Sequence, residues 1–205
     1  MRIRYRALAL AALLTAALSG AALAQTPAAP PAPVPAAQGP YQPRIGQPGK
    51  DVVWVPTPPE LVATMLDLAK VTKDDYVMDL GSGDGRIVIT AAARFGARGV
   101  GIEIDPELVR QAADYAERGG VAHLVRFVEG DFFAVDLREA TVLILYLLPE
   151  VNRRLLPKLL AELRPGTRIV SYRYPLGDWP PDRSVRVSRG TVYVWVVPSG
   201  ATPGR

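Results

Sequence analysis

The sequence predicts an α/β fold, a three-layer sandwich on a seven-stranded, mostly parallel sheet that ends in an antiparallel hairpin. Three observations carry that expectation. Between residues 51 and 198, short apolar runs alternate with segments of helical periodicity, the pattern of a parallel sheet covered on both faces. The first apolar run ends in a cluster of glycines and passes straight into a helix. The last two β-type runs flank Arg189-Gly190, which suits a hairpin.

The elements follow in order. Glu60 to Lys70 has apolar residues at helical spacing, with Pro58-Pro59 at its start, where proline is tolerated. Tyr76 to Leu80 is a short buried strand. Arg86 to Phe95 is a helix with small residues on one face, stopped by Gly96. Gly99 to Ile104 is the second strand. Asp105 as cap and Pro106 in the first turn then open a helix to Arg118, ended by Gly119-Gly120. Val125 to Glu129 and Thr141 to Leu147 are the third and fourth strands. Glu150 to Leu163 is a helix closed by Arg164-Pro165-Gly166, and Thr167 to Tyr172 is the fifth strand. Val185 to Ser188 and Thr191 to Val197 form the hairpin.

Ahead of this domain the chain reads as an address and a tether. Met1 to Arg6 is positively charged, Ala7 to Leu18 is apolar, and Ala22-Leu23-Ala24 matches a signal-peptidase site. A signal peptide over 1–24, cut before Gln25, is expected to export the chain to a periplasmic or extracellular space, without stable membrane insertion after cleavage. The alternative is an uncleaved N-terminal anchor, since Ala7 to Ala24 nearly reaches the ~18 apolar residues of a span. Residues 25–50, rich in proline and alanine, are expected to be a disordered linker, and 199–205 a disordered tail.

Composition excludes several chemistries. The chain has no cysteine, which removes disulfides, thiolate metal sites and any cysteine nucleophile. No metal site is expected. The formal charge is +4, but without Arg2, Arg4 and Arg6 the 24 basic residues fall to 21 against 20 acidic ones. The domain is therefore not basic enough to predict a nucleic-acid partner.

The chemistry-bearing motif is Asp79-Leu80-Gly81-Ser82-Gly83-Asp84-Gly85, at the end of the first strand, where open parallel sheets bind ligands. Gly81 and Gly83 allow a sharp turn and a close backbone approach. Asp79 would repel a pyrophosphate but suits a ligand with an amino group and a sulfonium charge. A dinucleotide fingerprint also wants a glycine where Arg86 stands. Glu103 ends the second strand, where a carboxylate can accept both hydroxyls of a ribose. Asp131 and Phe132 follow the third strand at the place of an adenine edge, with a turn or cap as the plain alternative for Asp131. These residues point to S-adenosylmethionine rather than a nicotinamide.

Together these residues resemble the class I S-adenosylmethionine-dependent methyltransferases. The chain looks most like the mitochondrial-type protein-lysine methyltransferases that modify the c-ring protein of ATP synthase and the adenine nucleotide translocase, with a Dot1-like first half. The resemblance runs from about Val53 to Val197. It rests on Trp54-Val-Pro-Thr-Pro58, residues 79–89, Gly101 to Pro106, Tyr146-Leu-Leu-Pro149 with Asn152, and 168–175 with Asp178-Trp179. It implies a Rossmann-like sheet. It also implies that Asp79, Gly81, Ser82, Gly83 and Gly85 surround the methionine end of the donor, that Glu103 and Ile104 meet the ribose, and that Asp131 and Phe132 meet the adenine. Thr57 and Tyr146 then line the methyl-transfer pocket, with Asn152, Arg173 and Trp179 further out. For Asn152 the plain alternative is a capping or surface residue, and for Trp179 a packing aromatic.

The function implied is an N-methyltransferase acting on a protein lysine, on a membrane-proximal protein substrate, with the enzyme a monomer. Tyr146-Leu-Leu-Pro149 replaces the Asn/Asp-Pro-Pro-Tyr common in enzymes acting on amides or bases. Without cysteine, covalent C5-cytosine methylation is excluded. The alternatives are a small-molecule methyltransferase and an exported, non-catalytic module that binds an adenosyl ligand. Export itself poses a conflict, because the donor is made in the cytoplasm.

Overall fold

A computed structural model describes residues 55–200. The expected signal peptide, the linker and residues 201–205 of the tail lie outside the described residues. The described chain runs α1 (Pro59–Leu68), β1 (Tyr76–Leu80), α2 (Arg86–Phe95), β2 (Arg98–Glu103), α3 (Pro106–Arg118), β3 (Val125–Glu129), β4 (Val142–Leu145), α4 (Pro149–Glu162), β5 (Arg168–Tyr172), β6 (Arg183–Val187) and β7 (Gly190–Val196). The sheet has seven strands in the order β3-β2-β1-β4-β5-β7-β6. β1 to β5 are parallel, β7 is antiparallel to β5, and β6 pairs antiparallel with β7. The expected α/β sandwich with its C-terminal hairpin is therefore present.

Several boundaries differ from the sequence reading by one or two residues, and those of β4 and β6 have a clear physical reason. β4 spans only Val142–Leu145, because Tyr146 to Leu148 leave the ladder to enter α4. β6 starts at Arg183 rather than Val185, since two polar residues join an edge strand whose outer side faces water. The helix α3 begins and ends as expected. The Asp105 carboxylate accepts the Glu107 amide at 3.0 Å and caps α3.

Alternation along the strands sorts the core onto two faces. Val77, Val142, Ile144 and Val170 pack under α1 and α2, and α3 joins α2 on that side through Ala92 and Ala116. Met78, Leu143, Leu145, Ile169 and Trp195 pack under Val151, Leu155 and Leu159 of α4. Between β1 and β4 the chain's order of strands reverses, which leaves a crevice at their carboxyl ends.

The opposite edge of the sheet is held by one polar clamp. The Arg168 guanidinium donates to the Ala69 carbonyl at 3.0 Å and to the Lys70 carbonyl at 3.2 Å, closing the C-terminus of α1. It also pairs with Asp75, which accepts from Thr141 Oγ1 at 2.7 Å and from the Thr72 amide at 2.8 Å. Burial works to raise the Asp75 pKa, but these donors together hold it below the ordinary carboxylate value. Arg168→Ala should lower unfolding free energy by about 3 kcal/mol in urea titrations, because it strands a buried carboxylate. Pairing it with Asp75→Asn should recover part of the loss.

Candidate active site

The turn after β1 is tied to the turn after β2. The Gly81 and Ser82 amides both donate to the Ile102 carbonyl, at 2.9 and 3.0 Å. The Glu103 carboxylate reaches back, accepting the Gly83 amide on Oε2 at 2.9 Å. Its Oε1 accepts the Ile104 amide at 2.8 Å and the Asp105 amide at 3.1 Å. Oε2 keeps lone-pair capacity for a further donor such as a hydroxyl.

Each glycine of the loop has its own reason. Gly81 has φ +78°, and a Cβ there would lie 3.3 Å from the Leu147 side chain, across the crevice between β1 and β4. Gly85 has φ +76° at the start of α2, and its Cβ would meet Phe127 at 2.5 Å and Ala112 at 2.8 Å. Gly85 thus serves close packing of the helices on β3 rather than lining the ligand edge. The Ser82 side chain lies over Gly101, with its hydroxyl buried and unpartnered among the described residues. Any contact it makes outward is through its backbone.

Three buried carboxylates share this corner. Asp79 is 3% exposed, Asp84 6% and Glu103 8%. Arg86 offsets one of them, binding Asp84 through Nε at 2.8 Å while Nη1 donates to the Thr57 carbonyl at 2.8 Å. No group donates to the Asp79 carboxyl among the described residues. Burial first, then the nearby Glu103 and Asp84 charges, push its pKa up to about 8. A ligand bearing ammonium and sulfonium charges fits this excess of acid.

The neighbouring part of the edge is aromatic. Tyr146, continuing the alternation of Val142 and Ile144, packs on the α1–α2 face and meets Tyr172 edge-on at 4.8 Å between ring centroids. Thr57 is buried just ahead of α1. Asp79, Tyr146 and Thr57 therefore lie on the same side of the sheet at its carboxyl edge.

Other expected residues are placed differently. Trp179 packs into the α4-side core against Trp195, with 6.1 Å between centroids, and its carbonyl accepts the Trp195 indole N–H at 3.1 Å. This places it on the opposite face from Tyr146, and corrects its assignment to the pocket: it is a packing aromatic. Asn152 is fully buried. Its Nδ2 donates to the Tyr174 and Pro175 carbonyls at 3.3 and 3.2 Å, so it anchors the segment after β5. Asp131 forms a turn, accepting the Phe133 amide at 2.8 Å on one carboxylate oxygen. Phe132 stacks obliquely on Phe133 at 5.0 Å, and Ile104 is 49% exposed beside Glu103. Sequence reasoning misses the roles of Asp84 and Tyr172. Asp84 stands inside the glycine loop, but its role depends on Arg86 reaching back to Thr57, which spacing does not reveal.

This arrangement agrees with what the chain is similar to. Residues 79–183 match the family described as the ANTKMT methyltransferase domain. The chain belongs to that family. It is 47% identical over 151 residues to a protein-lysine N-methyltransferase of Saccharolobus islandicus, covering 71% of this chain and 94% of the relative. It is 34% identical over 148 residues to the Xenopus laevis lysine N-methyltransferase of the ATP synthase c-ring protein, covering 72% of this chain but only 64% of that relative. Among solved structures, an RNA methyltransferase of Salinibacter ruber in complex with S-adenosyl-L-homocysteine is 56% identical, with a TM-score of 0.70 over 70% of this chain and 94% of that one. This methyltransferase uses S-adenosylmethionine as its methyl donor. Among the described residues no cluster of three or more histidine, aspartate or glutamate side chains is arranged to hold a metal ion, and no helix is long and apolar enough to cross a membrane.

The Asp79 shift makes stability pH-dependent in a definite direction. Between its usual value of 3.8 and about 8, the folded methyltransferase keeps a proton that the unfolded chain releases. Its contribution therefore lowers stability as pH rises through that window. Urea midpoints of the ligand-free protein at about pH 5 and about pH 8.5 should fall more steeply for the native chain than for Asp79→Asn.

Proposed function

We propose that this methyltransferase methylates the side-chain nitrogen of a protein lysine. The observation that carries the reading is the Tyr146–Tyr172 pair beside Thr57, on the same sheet face as the carboxylate-rich loop. Similarity to the lysine N-methyltransferases of Saccharolobus islandicus and Xenopus laevis supports it.

In this reading Asp79, Gly81 and Gly83 hold the methionine end of the donor, with Ser82 contributing its backbone and Gly85 keeping α2 close beneath. Glu103 accepts the ribose hydroxyls beside the exposed Ile104. Phe132 and the second oxygen of Asp131 take the adenine. S-adenosylmethionine supplies a methyl group on a sulfonium, so no acid is needed for the departing sulfide. The protein's task is to orient a neutral amine and exclude water. A free lysine has a pKa of ~10.4, and approach along the packed Tyr146–Tyr172 pair strips water from the ammonium and disfavours it. Thr57 and Tyr146 line that approach. Asn152 acts at a distance by fixing the segment that follows β5.

A second reading has a specific basis, since the Salinibacter ruber neighbour is called an RNA methyltransferase. Full chain incubated with methyl-labelled donor, a membrane-protein extract and total RNA separates the two. Label on lysine after acid hydrolysis is expected; label on nucleotides alone would replace this proposal with the RNA reading. Calorimetry tests the donor site independently. Asp79→Ala and Glu103→Ala should each weaken donor binding about tenfold or more, and indifference to both would show the site to be elsewhere.

Export also belongs to the proposal: residues 1–24 act as a cleaved signal and the acceptor is membrane-proximal. N-terminal sequencing of the mature chain should begin at Gln25, whereas an intact Met1 favours the anchor.

A further inference from the structure

The Asp84–Arg86 ion pair does more than balance charge in the donor corner. Arg86 is the first residue of α2, a helix with no acidic residue in its first turn. A cation there faces the positive end of the helix dipole, so α2 gains nothing from it. Asp84 takes up the charge. Nε and Nη2 of Arg86 meet the two Asp84 carboxylate oxygens as a fork, and the Arg86 amide donates to Oδ1 at 3.3 Å. Nη1 is left for a third acceptor, the Thr57 carbonyl at 2.8 Å, 29 residues earlier in the chain.

The segment that Arg86 grips is built to transmit its position. Pro56, Pro58 and Pro59 surround Thr57, and a following proline holds a residue in extended backbone, so residues 55–58 are stiff. Thr57 is the one buried residue of that stretch; Val55 and Pro56 are exposed and Pro58 is half-buried. Its carbonyl precedes the α1 ladder, whose first amides, those of Leu61 and Val62, both donate to Pro58. Among the described residues Arg86 is the only donor to the Thr57 carbonyl. Arg168 holds the end of α1 at the opposite edge of the sheet, so the start of α1, with Thr57, comes to the carboxyl edge. The acidic side of the fork is equally fixed, because Asp84 lies in the loop that Glu103 and the Ile102 carbonyl hold on β2.

We infer that Asp84 and Arg86 are positioning residues for methyl transfer, fixing the wall at Thr57 to the donor loop so that donor and incoming acceptor meet at a set distance. This rests on the reading that Thr57 lines the methyl-transfer pocket, but not on the acceptor being a lysine. In-line attack tolerates little displacement of either reactant, and a wall carried by an untethered segment drifts relative to the loop. One guanidinium bonded to both removes that freedom. The pair acts through Thr57, so its loss slows transfer while sparing donor binding. The planar fork of Arg86 serves both partners at once, whereas Arg86→Lys supplies a point charge without that geometry.

Hydrogen exchange, calorimetry and transfer rates on the full chain test this with Arg86→Gln and Arg86→Lys. Amides within residues 55–62 should exchange about tenfold faster in Arg86→Gln, with those of 79–85 unchanged. Donor affinity should stay within about twofold of the native chain, while label transfer from saturating donor to a membrane-protein extract falls about tenfold. Arg86→Lys should lose less. If Arg86→Gln does not fold around the stranded Asp84, Asp84→Asn/Arg86→Gln removes both charges and carries the same expectations. Donor affinity that falls in step with transfer, or faster exchange in 79–85, overturns the inference, since the pair then only braces the loop. Unchanged exchange in 55–62 overturns it as well. If the native chain labels total RNA and no protein, the lysine reading fails, and transfer to RNA becomes the rate on which the pair is judged.

Discussion

One carboxylate organises the catalytic edge. Glu103 accepts amides from two different turns, Gly83 after β1 and Ile104 and Asp105 after β2, and so fixes their separation. Because Gly81 and Ser82 also donate to the Ile102 carbonyl, the glycine loop is built onto β2 as much as onto β1. That explains why Gly101 is needed one residue further down: a Cβ there would strike the Ser82 hydroxyl at 2.5 Å and lift the loop off its support. The loop's shape is thus available before any ligand arrives. The corner becomes crowded with acid as a consequence, and burial beside Glu103 and Asp84 raises the Asp79 pKa.

The sheet's alternation does the second piece of organisation. Residues separated by two along β1 and β4 share a face, which sets Asp79 with Ile144 and Tyr146 and sets Leu80 with Leu145 and Leu147. Parallel strands in register then bring the donor loop and the aromatic pair to one level of one face. Trp179 fails to join them for the same reason. Its partner Trp195 lies opposite Ile169 on the α4 side, and its carbonyl is committed to the Trp195 indole.

What the sequence disclosed and what it hid divides along contact distance. The glycine loop, Glu103 and the Asp105 cap are encoded by near neighbours and by strand ends, so pattern reading reaches them. The reach of Arg86 to the Thr57 carbonyl, the Tyr146–Tyr172 pair and the anchoring of Tyr174 by Asn152 each join separate elements. No local period signals such contacts. Asn152 shows the limit well: a polar residue in the first turn of an apolar helix reads as a cap or a surface group. Its burial follows only from where the segment after β5 runs. The end of β4 is a milder case, where an apolar run continues to Leu147 but the ladder stops at Leu145 because α4 must begin.

The distribution of charge along the edge bears on the reaction itself. Methyl transfer moves a unit of positive charge from the sulfonium to the attacking nitrogen. In this chain that displacement runs away from the buried Asp79, Asp84 and Glu103 toward the Tyr146–Tyr172 pair. Taken alone, such a gradient stabilises the bound donor more than the transition state, and so opposes the chemical step. Orientation and desolvation of the incoming amine at the aromatic edge have to offset that opposition, since a neutral nucleophile held in line with the sulfonium methyl reacts without first reorganising solvent.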